Sequence, residues 1–160
     1  MATVPQLFEK DMVRLEAELL ELLAQTDATT ALIIDQGGFL IASRGDTRQF
    51  DLTSIAALAA GAFLANQTIA RLVRETHFHS LYQEGEQFSL FVLALDYQCL
   101  LVVIFEVQVS VGLVKYYALP AAQRVARQLQ LAHSRNPNSG LDLSELNLAD
   151  TSPLFHRKPD

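Results

Sequence analysis

The chain opens on a helical rhythm. Phe8, Met12, Leu15, Leu19 and Leu22 recur at steps of four and three, which places them along one side of a helix. Glu9, Lys10, Asp11, Arg14, Glu18 and Glu21 fill most of the other positions. The spacing therefore predicts a helix over roughly 7–25 with one covered stripe and one wet face, the acidic residues being solvated charge. Thr26-Asp27 ends it. Two short β-prone runs follow, Ala31-Leu32-Ile33-Ile34 and Phe39-Leu40-Ile41-Ala42, separated by Asp35-Gln36-Gly37-Gly38. Glycine supplies the positive φ that tight turns require, so the pair reads as a hairpin.

From Asp51 to Glu75 the pattern predicts a second helix, with Asp51 placed to cap its first turn. The eleven residues Ile55 to Ala65 carry no polar side chain. A helix that is apolar on every side must be covered on every side. Six alanines and Gly61 also keep it thin. Two readings arise: tight packing onto the domain's own sheet, or a subunit or partner interface. A small domain's sheet covers one face only, which favours the interface.

Ser80-Leu81-Tyr82-Gln83-Glu84 alternates as a strand, and Phe88–Leu95 and Cys99–Phe105 are apolar on both faces, as strands covered on both sides are. Val114, Tyr117, Ala121, Val125, Leu129 and Ala132 then mark a helix over about 111–132. Pro120 inside it predicts a kink, or a start just before it. The order is helix, strand, strand, helix, three strands, helix. The fold class is α+β, an α/β/α sandwich built on a five-stranded, mainly antiparallel sheet. Residues 1–135 form one domain. Residues 136–160 read as a tail dispensable for folding: Asn136-Pro137-Asn138-Ser139-Gly140 is a linker, and Leu141, Leu143, Leu146 and Leu148 interleave with Asp142, Glu145 and Asp150. The tail is either disordered or a short docking motif.

Composition narrows the function classes. The 160 residues carry a formal charge of −6 and no basic cluster along the sequence, which argues against a nucleic-acid partner. The single cysteine, Cys99, cannot close an intramolecular disulfide and sits in an apolar run, so a reducing compartment, the cytoplasm, is expected. The charges at Glu9, Lys10 and Asp11 come too early for an apolar leader, and the eleven-residue run is short of the roughly 20 residues that span a bilayer. Neither a phosphate-binding G-x-x-x-x-G-K-[ST] loop nor G-x-G-x-x-G is present. His77 and His79, even with Glu84 or Glu86, make a poor metal set and read as loop histidines. Cys99 reads as core rather than nucleophile. No catalytic dyad or triad stands out, so neither an enzyme, a cofactor nor a metal is expected.

Particular phrases, in this order, resemble the Roadblock (dynein light chain) family, nearest its MglB-type branch. They are Ala31-Leu32-Ile33-Ile34-Asp35 with Gly37-Gly38, Asp51–Gly61, Ile69-Ala70-Arg71-Leu72, Tyr82-Gln83-Glu84-Gly85, Leu100–Phe105 and Val111-Gly112-Leu113-Val114-Lys115. The resemblance implies a homodimer in which the middle helices pack side by side and the third strands pair. The seam would involve Ile55, Leu58, Ala59, Ala62, Ala65, Leu81 and Tyr82. It also implies a small Ras-like GTPase of the MglA type as partner, with GTP hydrolysis stimulated without an arginine finger; Arg71 and Arg74 are accordingly not catalytic. Leu64, Gln67, Thr68 and Arg71, where polar groups end the apolar run, are the expected GTPase contact, the other reading being that they simply face solvent. The chain departs from the branch at Leu64, Asn66, Gln67 and Thr68, where smaller side chains are usual. That stretch separates a GTPase-activating regulator from the alternative, a non-catalytic dimeric scaffold.

Overall fold

A computed structural model describes residues 4–96 and 98–135. The proposed tail, 136–160, lies outside the described residues. The elements are α1 (Glu9–Thr26), β1 (Thr30–Asp35), β2 (Leu40–Gly45), α2 (Leu52–Leu72), β3 (Ser80–Gln83), β4 (Phe88–Ala94), β5 (Cys99–Glu106) and α3 (Val111–Arg135). The strands form one sheet in the order β2-β1-β5-β4-β3, and all four pairings are antiparallel.

Alternation along the two central strands sorts the core into two layers. Ala31 and Ile33 of β1 and Leu101, Val103 and Phe105 of β5 face α1 and α3, where Leu15, Leu19, Val125 and Leu129 cover them. Leu32 and Ile34 of β1 and Leu100 and Val102 of β5 face α2. The period of two along a strand gives each face its own apolar set, so a continuous apolar run is what a strand between two helical layers needs.

Asp27, with φ 55°, ends α1 in the left-handed region, and its N–H bonds back to the carbonyl of Leu23. Pro120 does not end α3, which runs through it. The carbonyl four residues back belongs to Tyr116, which like Pro120 is exposed, so the donor that proline lacks is lost where water can replace it.

The acidic residues of α1 differ most from expectation. Asp11 is fully buried, and Glu16 and Glu18 form ion pairs with Arg44 and Arg124. Asp11 accepts from the N–H of Phe8 at 2.8 Å, half of a capping box, and from the Gln128 amide at 2.8 Å. It also pairs with Arg135, whose guanidinium lies 5.2 Å from the centre of the Phe8 ring. The wet face of α1 is thus partly a seam with α3.

In the β1–β2 turn, Gly38 has φ +95°, and a Cβ there would stand 2.9 Å from the α2 backbone at the Ala57 Cα. This glycine sets how closely the hairpin approaches α2. Gly38→Ala is expected to destabilise the fold by about 1–3 kcal/mol, read as a lower midpoint in urea.

Candidate functional site

α2 leaves several of its large apolar side chains facing outward. Ala56, Ala59 and Ala60, with Leu52 and Phe63, are buried on the sheet. Leu58, Leu64, Ile69 and Leu72 are 73%, 66%, 51% and 79% exposed. Covering one such side chain is worth about 1.5–3 kcal/mol, so this face gains from a neighbour what it does not gain from its own sheet. The helix is also long and apolar enough, by length and composition, to cross a membrane, although only 28% of that stretch is buried. Yet Asp51 caps its start, accepting from the Ser54 N–H at 3.2 Å, and it lies mid-chain on the sheet. An uncovered helix of a layered domain accounts for the same composition.

Along the outward crest run small exposed residues at helical spacing: Ser54, Ala57, Gly61, Ala65 and Thr68. A Cβ at Gly61 would meet nothing within 4 Å. Glycine inside a helix costs about 1 kcal/mol against alanine, and nothing among the described residues calls for it here. A second backbone approaching closely would.

Two rows of residues pass through this crest. Leu58, Ala65 and Leu72, spaced seven apart, form one; Ala57, Leu64 and Arg71 form the other. Of the residues expected at a dimer seam, Leu58 and Ala65 lie on the first row and are exposed, while Ile55 and Ala62 are half-buried. Ala59 is placed differently. It falls on the inward stripe with Ala56 and Phe63 and is buried in the protomer's own core. Leu81 and Tyr82 are consecutive on an edge strand and so face opposite ways. Leu81 packs on the α2 side, and Tyr82 stacks parallel to Phe105 at 6.3 Å on the other.

Among the expected partner-binding residues, Leu64, Thr68 and Arg71 share an exposed surface and are joined along the helix. The Thr68 hydroxyl donates to the Leu64 carbonyl at 3.4 Å, and Arg71 donates to that hydroxyl at 3.3 Å. Gln67 is turned to its own chain. Its amide donates to the Phe78 carbonyl at 2.6 Å and accepts from the Phe78 N–H at 3.0 Å, stapling the approach to β3 onto α2. The bidentate match to the backbone of one residue is not visible in helical spacing.

His77 and His79 meet edge to face, 4.4 Å between ring centres. No group of three or more His, Cys, Asp or Glu residues suited to a metal occurs among the described residues. Burial, with the Asp35 carboxylate nearby, pushes the Cys99 thiol up to about 12, so it is no nucleophile at neutral pH.

The model of the Roadblock/LC7 domain matches residues 15–105, more than half of the chain. The chain belongs to the Roadblock/LC7 family. Among solved structures it is similar to Myxococcus xanthus MglB, at 29% identity over 79% of this chain and 96% of that one, with a TM-score of 0.74. A structure described as MglB with tetrameric arrangement shares 30% identity, covering 82% and 99%, with a TM-score of 0.77. The gliding protein MglB of Thermus thermophilus shares 29%, covering 82% and 99%, with a TM-score of 0.75. No curated protein matches. The Roadblock match spans β1 to β5 with α2 between them, so the exposed crest lies wholly inside it.

Proposed function

We propose that this Roadblock protein is a cytoplasmic homodimer that binds a small Ras-like GTPase of the MglA type and stimulates its GTP hydrolysis. The outward apolar crest of α2 carries the reading, in a chain about 30% identical to MglB structures over most of its length. The Leu58–Ala65–Leu72 row meets the second copy. The Leu64–Thr68–Arg71 surface, ending in a cation, meets the GTPase.

Single-turnover hydrolysis by the GTPase, with and without this protein, tests the proposal. A rise of at least about tenfold is expected. Arg71→Ala should keep most of it, since a true arginine finger would cost about 10³–10⁵. Thr68→Arg, at an exposed position, should change stability by no more than about 0.5 kcal/mol and keep the dimer mass, yet lose the partner. Binding without acceleration would replace the activator with the scaffold. Absence of binding would overturn both.

A further inference from the structure

Away from α2, on the opposite side of the sheet, α1 and α3 leave a groove between them. Two adjoining clefts of about 410 and 200 Å³ make it up, sharing Arg14, Gln128 and Leu131. Lys10, Arg14, Arg124, Arg127 and Arg135 line it, half of the lysines and arginines within residues 1–135 of an acidic chain. Arg124 and Arg135 are committed to Glu18 and Asp11. Lys10, Arg14 and Arg127 make no ion pair among the described residues. Leu131 contributes an apolar surface, 56% exposed. The groove is therefore a strip of three uncompensated cations beside a leucine, which suits an acidic peptide with apolar side chains.

We propose that the occupant is this chain's own segment 141–150, Leu-Asp-Leu-Ser-Glu-Leu-Asn-Leu-Ala-Asp. It supplies three carboxylates, Asp142, Glu145 and Asp150, for the three cations, and leucines for Leu131. Its origin fits as well. The described chain ends at Arg135, itself a wall of the groove. Residues 136–140, fully extended, reach up to about 17 Å, enough to turn back, and ten further residues span about 33 Å. The groove from Arg135 to Arg124 is about 16 Å along the helix. Each exposed ion pair is weak, so the docked state rests on several together. A short tether holds the segment at an effective concentration in the millimolar range, so weak contacts suffice to populate the docked state without contributing much to folding. The inference stands apart from the GTPase reading, because the groove and the α2 crest lie on opposite faces.

A nitroxide on the full chain tests it. Cys99 is fully buried, so the label goes to Asn147→Cys alone. At low salt the amide signals of residues 10–14 and 127–131 are expected to fall below about half height, and about 0.5 M salt, which shortens the screening length to a few ångströms, to restore them. Arg14→Glu with Arg127→Glu should abolish the quenching with the remaining spectrum unchanged, both arginines being exposed. Should that variant lose its fold, the salt series decides. Unquenched signals at low salt, or quenching indifferent to salt, would overturn the proposal. So would quenching that passes only between chains in a sample of labelled and isotopically marked copies, which assigns the groove to another copy's tail.

Discussion

Leu58→Glu is expected to give a folded monomer. The side chain is 73% exposed in the protomer, so the substitution removes little from its own core. In a paired α2 seam the same carboxylate would sit in a dry apolar contact, once from each copy. An unpaired buried charge costs several kcal/mol, and about 4 kcal/mol over the two copies corresponds to a roughly thousandfold weaker association. Ala59→Glu is the contrasting variant. Ala59 lies in the layer that holds Leu32, Ile34, Val92 and Val102, so glutamate there should unfold the protomer instead of separating two of them. Sedimentation equilibrium with thermal melts of both variants reads the difference. A wild-type chain that sediments as a monomer at micromolar concentration would remove the dimer altogether.

Asp11→Ala is expected to lower stability by about 2–4 kcal/mol, because it strands three donors at once: the Phe8 N–H, the Gln128 amide and the Arg135 guanidinium. Arg135 keeps some contact with water, its side chain being 28% exposed, which holds the loss below that of a fully enclosed pair. Burial pushes the Asp11 carboxyl up. The hydrogen bonds from Arg135, the Phe8 N–H and Gln128 outweigh burial and hold the group below the ordinary aspartate value. A carboxyl depressed in the folded state adds stability that is present above the unfolded value, about 3.9, and is lost as pH falls through the lower folded value. In Asp11→Asn that component disappears. Urea unfolding across the acid range should show a flatter fall below about pH 4 for this variant than for the parent chain. An unchanged acid slope would place the sensitivity in other carboxylates.

The strands and helices were legible because their apolar residues repeat with a definite period. The two-faced runs of β4 and β5 already required helices on both sides of the sheet, and the structure places them there. Phase within α2 was not legible. Where every position from Ile55 to Ala65 is apolar, hydrophobicity cannot tell inside from outside, and so Ala59 was expected at the seam and lies in the core. Asp11 escaped for another reason. Its partner Arg135 is 124 residues away, and local spacing, with Lys10 and Arg14 beside it, reads Asp11 as one more charge on the wet face of α1. The basic groove was hidden in the same way. No stretch of the sequence is basic, but α1 and α3 bring together cations from 10–14 and 124–135. The exposed face of α2, by contrast, could be anticipated, since an apolar helix has more faces than one sheet can cover.

The Gln67 staple has a bearing on solubility. β3 is an edge strand of four residues with one side paired to β4, the kind of open ladder on which foreign strands add and aggregates grow. A slip of one residue would turn Leu81 outward and Tyr82 toward α2. Gln67 holds the backbone of Phe78 by both its N–H and its carbonyl, two residues before the strand begins, so that slip would first have to break both bonds. The amide therefore acts as a register lock, holding the exposed ladder in a single alignment.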